Sequence, residues 1–392
     1  MLHSAHHNLN PMAPPPDGAM LYIHVPFCRT RCIYCDFYST TCGSEVRVAY
    51  VQALCRELQA RRGELPNTRL ATLYLGGGTP SQLAPSELTQ IFAAVRAHYD
   101  LLPGAEITLE ANPDDVTPQW VDAVQALGVN RVSLGVQSFH DALLRTLRRR
   151  HTARQATEAV QRLRAGGIGN ISIDLMYGLP EQDAACWQRD VHQALQLPVT
   201  HLSAYALMVE EGTPLAHMVQ AGTLHPADDE ATLAAYEHLM DAAAQAGFEH
   251  YEISNFCRPG YASRHNSGYW HNVPYLGCGP GAHSYDGLRR RSNLPDVHAY
   301  AAAQGDVPHA TEELTPAMRF DERVFTALRT SRGLDVEALQ RDFGAAWTEQ
   351  LKREAARHVE GGRLTWCGAL LRFTRQGLFV SDDVMSDLMH VD

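Results

Sequence analysis

Cys28, Cys32 and Cys35 stand in Cys-Arg-Thr-Arg-Cys-Ile-Tyr-Cys, a CxxxCxxC spacing directly after the apolar run Leu21-Tyr22-Ile23-His24-Val25. Thiolates favour soft metals, and a cubane iron–sulfur cluster holds four irons, each normally taking its own thiolate. Three close cysteines with no obvious fourth nearby therefore leave one iron open, and an open iron is a place for chemistry. Read alone, the same residues also fit part of a zinc site or a chance grouping. The chain has nine cysteines in 392 residues. That odd number, clustered only at 28–35, does not make a disulfide framework, and a reducing compartment suits thiolate ligation. Cys42, Cys55, Cys186 and Cys367 read as packing residues.

The elements that must position these thiols follow a strand–helix rhythm. Strand-like runs at 20–25, 71–75, 106–110, 131–136, 171–176 and 201–207 alternate with helical spacing at 45–62, 86–99, 117–127, 153–165 and 185–196. The pattern predicts an α/β fold built on a parallel sheet. The open partial (β/α)6 barrel is preferred to a flat doubly wound sheet because each run ends in something polar or glycine-rich, and in a parallel barrel all those ends meet at one mouth.

Each strand end offers a physical role beside a plainer one. Gly76-Gly77-Gly78-Thr79-Pro80 lets backbone approach a ligand with no Cβ in the way, or simply turns from strand to helix. Glu110 can pair with a cationic amino group, or be a surface carboxylate. Asp174, between Ile173 and Leu175, needs a partner and could accept from a ribose hydroxyl. Gln137-Ser138 closes the fourth strand, and Arg148-Arg149-Arg150 is either a solvated helix end or the source of one arginine facing the mouth.

Taken together, Ile23 to Cys28, the three cysteines, Gly76 to Pro80, Leu134-Gly135-Val136-Gln137-Ser138 and Asp174-Leu175-Met176-Tyr177-Gly178-Leu179-Pro180 resemble the oxygen-independent coproporphyrinogen oxidase group of the radical S-adenosylmethionine (SAM) superfamily. The likeness spans roughly residues 20 to 385. It implies that Cys28, Cys32 and Cys35 hold a [4Fe-4S] cluster, and that Tyr22, Tyr34, Gly77, Gly78, Thr79, Glu110, Gln137, Arg149 and Asp174 contact SAM. Within the group the chain is more similar to the HemW-type haem chaperones than to the true oxidases. The oxidases resemble CxxxCxxCxC, whereas Asp36-Phe37 follows Cys35 here, and they carry a longer segment before the first strand. His265-Asn266-Ser267-Gly268-Tyr269-Trp270 matches the HNxxYW motif associated with haem in those chaperones, which implies that His265, Tyr269 and Trp270 bind haem. An imidazole can ligate iron and aromatic faces suit a macrocycle, although a histidine and two aromatics can equally close a packed loop. His283 and Cys257 are competing ligand candidates.

The expected organisation is a flexible tail at 1–18, a radical SAM core at 19–255, a connecting region with the haem motif at 256–310, and a C-terminal domain at 311–392. Helical segments at 315–330, 335–342 and 345–359, a hairpin within 361–374 and a last helix at 376–389 give that domain a winged-helix-like shape. Such a shape does not imply DNA binding, and a net charge of −11 argues against a nucleic-acid partner. The tail lacks a signal-peptide core and no run is long enough to span a membrane, so a cytoplasmic location is expected. The resemblance thus implies a protein that holds haem and passes it to a haem-requiring respiratory or membrane protein, with a homodimer compatible. The alternative is an oxidase that decarboxylates coproporphyrinogen propionates by radical chemistry, and the sequence leaves open whether the chain is an enzyme.

Overall fold

The computed structural model describes residues 17–390, so all but the last two residues of the expected tail lie outside the described residues. The core strands are β1 (Ala19–Val25), β2 (Arg69–Gly77), β3 (Asp100–Ala111), β4 (Arg131–Gln137), β5 (Asn170–Tyr177) and β6 (His201–Ala206), each parallel to the next. Their apolar runs are near-continuous because both faces are covered, as in Met20, Leu21, Ile23 and Val25 of β1, all 0% exposed. Each such side chain contributes about 1.5–3 kcal/mol relative to leaving it in water. Helices Ser44–Ala60, Pro85–His98, Pro118–Ala126, Ala153–Ala165 and Ala184–Gln196 make the crossovers. Proline at the first turn and Thr117 and Thr152 as N-caps start three of these where the sequence places them.

The sheet grows at both edges. The hairpin β7 (Glu249–Glu252) and β8 (Asn255–Cys257) adds antiparallel to β6. On the other side β9 (Tyr275–Cys278) lies parallel to β1, followed by antiparallel β10 (His283–Tyr285), β11 (Arg289–Asn293) and β12 (His309–Glu313). The order is β12-β11-β10-β9-β1-β2-β3-β4-β5-β6-β8-β7, a mostly parallel sheet that does not close on itself, as the strand ends predict. Residues 256–310 thus contribute strands to this sheet. A buried ion pair fastens the added strands. Arg61 donates to Glu57 at 2.8 Å and to the Gly277 carbonyl at 2.8 Å, while Tyr300 and Asn293 donate to the same Glu57 carboxylate at 2.6 and 2.7 Å. Every oxygen of that carboxylate is satisfied, which is what makes burial of the pair tolerable.

Beyond β12 a second core forms around Phe320, Val324, Leu328, Leu339, Leu351, Leu371 and Met385. It is built from helices Pro316–Leu328, Val336–Phe343 and Ala345–Glu360 and an antiparallel sheet of β13 (Leu334–Asp335), β14 (Leu364–Cys367) and β15 (Leu370–Phe373), in order β13-β15-β14. The last helix is divided into Arg375–Leu378 and Ser381–Leu388, because Val380 leaves helical geometry at φ −106°, ψ 26°. Backbone bonds from Ile253 to the Arg329 carbonyl and from Ser331 to the Tyr251 carbonyl, both 3.0 Å, attach this unit to the β7 edge.

Candidate functional site

The three cysteines occupy the loop that leaves β1, and its two ends are pinned. Cys28 N–H donates to the Thr40 carbonyl at 3.0 Å and Thr40 N–H returns to Pro26 at 2.7 Å, while the buried Ile33 carbonyl accepts from Leu215 N–H at 2.9 Å. Burial raises the Cys28 thiol above its ordinary value and pushes Cys35 up to about 11, with the other cysteines of the loop adding to both shifts. Neighbouring thiols that raise one another in this way are a site short of positive charge, which a metal group supplies. Among the described residues no three His, Cys, Asp or Glu side chains converge on the position of a single ion. A cubane asks for a wider arrangement, since each thiolate takes a different iron. Thr79 Oγ1 lies 3.4 Å from Cys28 Sγ, and Arg149 Nη1 donates to Cys32 Sγ at 3.3 Å, so the turn after β2 and the crossover after β4 both reach the thiols. The donor set fits an iron–sulfur cluster. Phe37, two residues after Cys35, is 64% exposed.

Beside the thiols lies a cradle. Gly77, at φ +109°, has no room for a side chain: a Cβ there would meet the His24 imidazole at 2.5 Å. At Gly78 a Cβ would meet the Pro26, Phe27 and Val25 backbone at 2.8–2.9 Å. The glycines therefore bring β2 against the start of the cysteine loop. Glu110 accepts from Gly77 N–H at 3.1 Å and from Tyr74 at 2.7 Å, yet burial still pushes its carboxyl up to about 7. Burial likewise pushes Asp174 up to about 6, despite a bond from Ser133 at 3.2 Å. Two desolvated carboxylates at one mouth are suited to a cationic ligand, whose charge would relieve both. Arg149 also donates to Asn112 and to the Gly135 carbonyl, and Gln137, 8% exposed, takes the left-handed φ of +67°, the kind of outlier that a ligand-facing strand end carries. Tyr22 hydrogen-bonds His24 at 3.1 Å, and Tyr34 packs on the cluster of Leu143, Leu147 and Met176. The residues expected to contact SAM are thus gathered with the cysteines at one end of the sheet.

His265 borders this group, its ring 6.4 Å from that of Tyr22. It sits on the helix Arg264–Trp270, 1% exposed, with Nδ1 bonded to Thr72 at 2.7 Å and Nε2 to the Tyr269 hydroxyl at 2.8 Å. Burial lowers it to about 3, so it is neutral. Both ring nitrogens are engaged in the interior, where the ring lies 5.0 Å from that of Tyr74. Tyr269 and Trp270 instead face a cleft of about 520 Å³ between β9, β10 and the helix Pro316–Leu328. Trp270 also carries the Arg329 guanidinium 5.3 Å from its ring centre, a contact worth about 0.5–1 kcal/mol. Cys257 is buried and His283 is held by Ser292 at 2.9 Å, both away from the cleft lining.

Sequence reasoning missed His24, which fills the space under Gly77 and donates from Nε2 to the Tyr38 carbonyl at 2.9 Å, and Asn112, the partner of Arg149. It also missed Arg131, 2% exposed, which keeps its charge against the cost of burial through Glu106. An arginine opening the apolar run Arg131-Val132-Ser133-Leu134 was the available signal.

The Radical SAM superfamily model matches residues 22–194 and the HemN C-terminal domain model residues 314–380. The chain is 38% identical to the heme chaperone HemW of Mycobacterium tuberculosis over 97% of both chains, and 33% identical to that of Bacillus subtilis over 93% of this chain and 97% of the relative. Its fold is similar to that of Escherichia coli coproporphyrinogen III oxidase (HemN), with a TM-score of 0.83 at 19% identity, covering 95% of this chain and 91% of that one.

Proposed function

Because the chain belongs to the HemW family of the radical SAM superfamily, we propose that it is a haem chaperone, binding haem and handing it to a haem-requiring protein. The observation that carries the reading is the aromatic cleft at Tyr269 and Trp270, walled on one side by the sheet and on the other by the C-terminal helix Pro316–Leu328. Flat aromatic faces and a volume within the roughly 300–1,000 Å³ usual for small-molecule sites suit a macrocycle. In this reading His265 remains a haem-binding candidate with Tyr269 and Trp270, and its ligation of iron would require its bond to Thr72 or to Tyr269 to break. It fixes the Tyr269 hydroxyl and so the wall of the cleft.

At the mouth, Cys28, Cys32 and Cys35 would hold a [4Fe-4S] cluster, which supplies one-electron chemistry and an open iron. Arg149 would orient Cys32 and donate to its sulfur; Glu110 and Asp174 would receive the cationic and hydroxyl groups of SAM; Gly77 and Gly78 would let its backbone contacts close; Tyr22, Tyr34, Thr79 and Gln137 would wall it. The haem acceptor would be a respiratory or other membrane protein met from the cytoplasm. No helix among the described residues is long and apolar enough to cross a membrane.

Haem titration of the full chain, followed by the Soret band, tests the reading. Saturation at one haem per chain that weakens in Trp270→Ala, with SAM binding retained, supports it. Equal affinity in both proteins places haem elsewhere and removes the reading's main support.

A further inference from the structure

The cleft beside Trp270 is lined by groups from both halves of the chain, and several of the polar side chains facing it are committed, while Trp270 Nε1 is buried without a hydrogen-bond partner. The Tyr269 hydroxyl is bonded to His265 at 2.8 Å. Asn272 donates to Thr326 at 2.9 Å, Glu322 accepts from Arg290 at 2.6 Å, and Asp321 accepts from His390 N–H at 2.6 Å. The phenols of Tyr275 and Tyr285 are raised above their ordinary values by burial, which makes phenolate an expensive ligand there. One soft donor lines the same cleft: Met389, which follows the helix Ser381–Leu388 and is held by its N–H to the Ser386 carbonyl at 3.3 Å and by the bond from His390 to Asp321. A thioether needs no deprotonation, reorients easily on three rotatable bonds, and is an established kind of axial ligand to haem iron.

Resting on the haem reading above, we propose that Met389 is the axial ligand of haem held between the Trp270 helix and the C-terminal domain. Met389 then borders the macrocycle, and the C-terminal domain becomes part of the haem site. Hand-off to an acceptor would require only that this segment yield its thioether to a stronger donor on the acceptor, with no change in the interior around His265.

The experiment compares the full chain with Met389→Leu, which conserves volume, and Met389→His, each titrated with haem. Ferric and ferrous magnetic circular dichroism spectra, which separate a thioether-ligated iron from one without that ligand, are the two signatures read. The proposal expects both signatures in the parent protein, their loss in Met389→Leu with affinity weakened about tenfold, and a histidine-type spectrum in Met389→His. A parent protein that binds haem with neither signature, or a Met389→Leu spectrum identical to the parent, overturns the assignment while leaving the haem reading in place. A parent protein that binds no haem overturns the functional reading itself.

Discussion

Replacing Gly77 by alanine tests whether the glycine turn is a close-packed cradle. The new Cβ would lie 2.5 Å from both Cε1 and Nδ1 of His24, well inside contact, and the backbone there has a φ of +109°. Holding an L-residue at positive φ costs about 1–2 kcal/mol, and forcing a carbon into a filled site about 1–3 kcal/mol. If the imidazole swings away instead, it gives up its bonds to Tyr38 O and Tyr22, each worth about 1 kcal/mol. Either route predicts a loss of about 2–5 kcal/mol. The Gly77 N–H bond to Glu110 lies at the same point, so SAM affinity should fall with stability. Urea unfolding of the apo protein beside calorimetric SAM titration of the reconstituted protein provides the assay. Gly63→Ala is the control, because nothing lies within 4 Å of a Cβ there. An unfolding midpoint for Gly77→Ala equal to that of Gly63→Ala would refute the close-packing argument.

Three further outcomes follow from the same geometry. Glu110 binds its proton more tightly folded (about 7) than at its ordinary value of 4.5, so its contribution is fully present below pH 4.5 and is lost as pH rises through 7, by up to about 3 kcal/mol; Glu110→Gln should remove that slice from the stability-against-pH curve, and a superimposable curve would count against it. Arg149→Met removes a charge-assisted bond to Cys32, so at about 1–2 kcal/mol of selective stabilisation of the reduced form the cluster potential should drop by about 40–90 mV in an anaerobic spectroelectrochemical titration. Arg329→Met removes contacts to the rings of Trp270 and Phe325 and the 3.5 Å pair with Asp382, so unfolding should be easier by about 1 kcal/mol and haem dissociation from the cleft faster in stopped flow.

The six core strands were legible because their apolar residues are packed under the crossover helices, as in Leu73 and Leu75 or Ile171 and Ile173, with short polar residues such as Thr72 and Ser172 buried between them. The mouth was legible because polar and glycine-rich residues fall at the ends of those runs. The strands β9 to β12 were not. Arg289-Arg290-Arg291-Ser292-Asn293 carries no apolar alternation, and its place is set by pairing with distant chain and by Glu57 and Glu64 far upstream. His265 shows the same limit at a single residue. Its motif spacing is visible, but the partner that holds its Nδ1, Thr72, lies 193 residues away. Met389 sits at the end of an ordinary helix, with nothing in its neighbours to mark that the fold returns it to the Trp270 cleft.

The central claim, that this chain carries haem without acting on its precursor, is tested most directly by one anaerobic experiment on cluster-reconstituted protein supplied with SAM. Bound haem per chain and conversion of coproporphyrinogen III to protoporphyrinogen are measured on the same sample. The account predicts one haem per chain and no porphyrinogen conversion. Sustained conversion with little haem retained would contradict it and make the chain an oxidase despite the exposed Phe37.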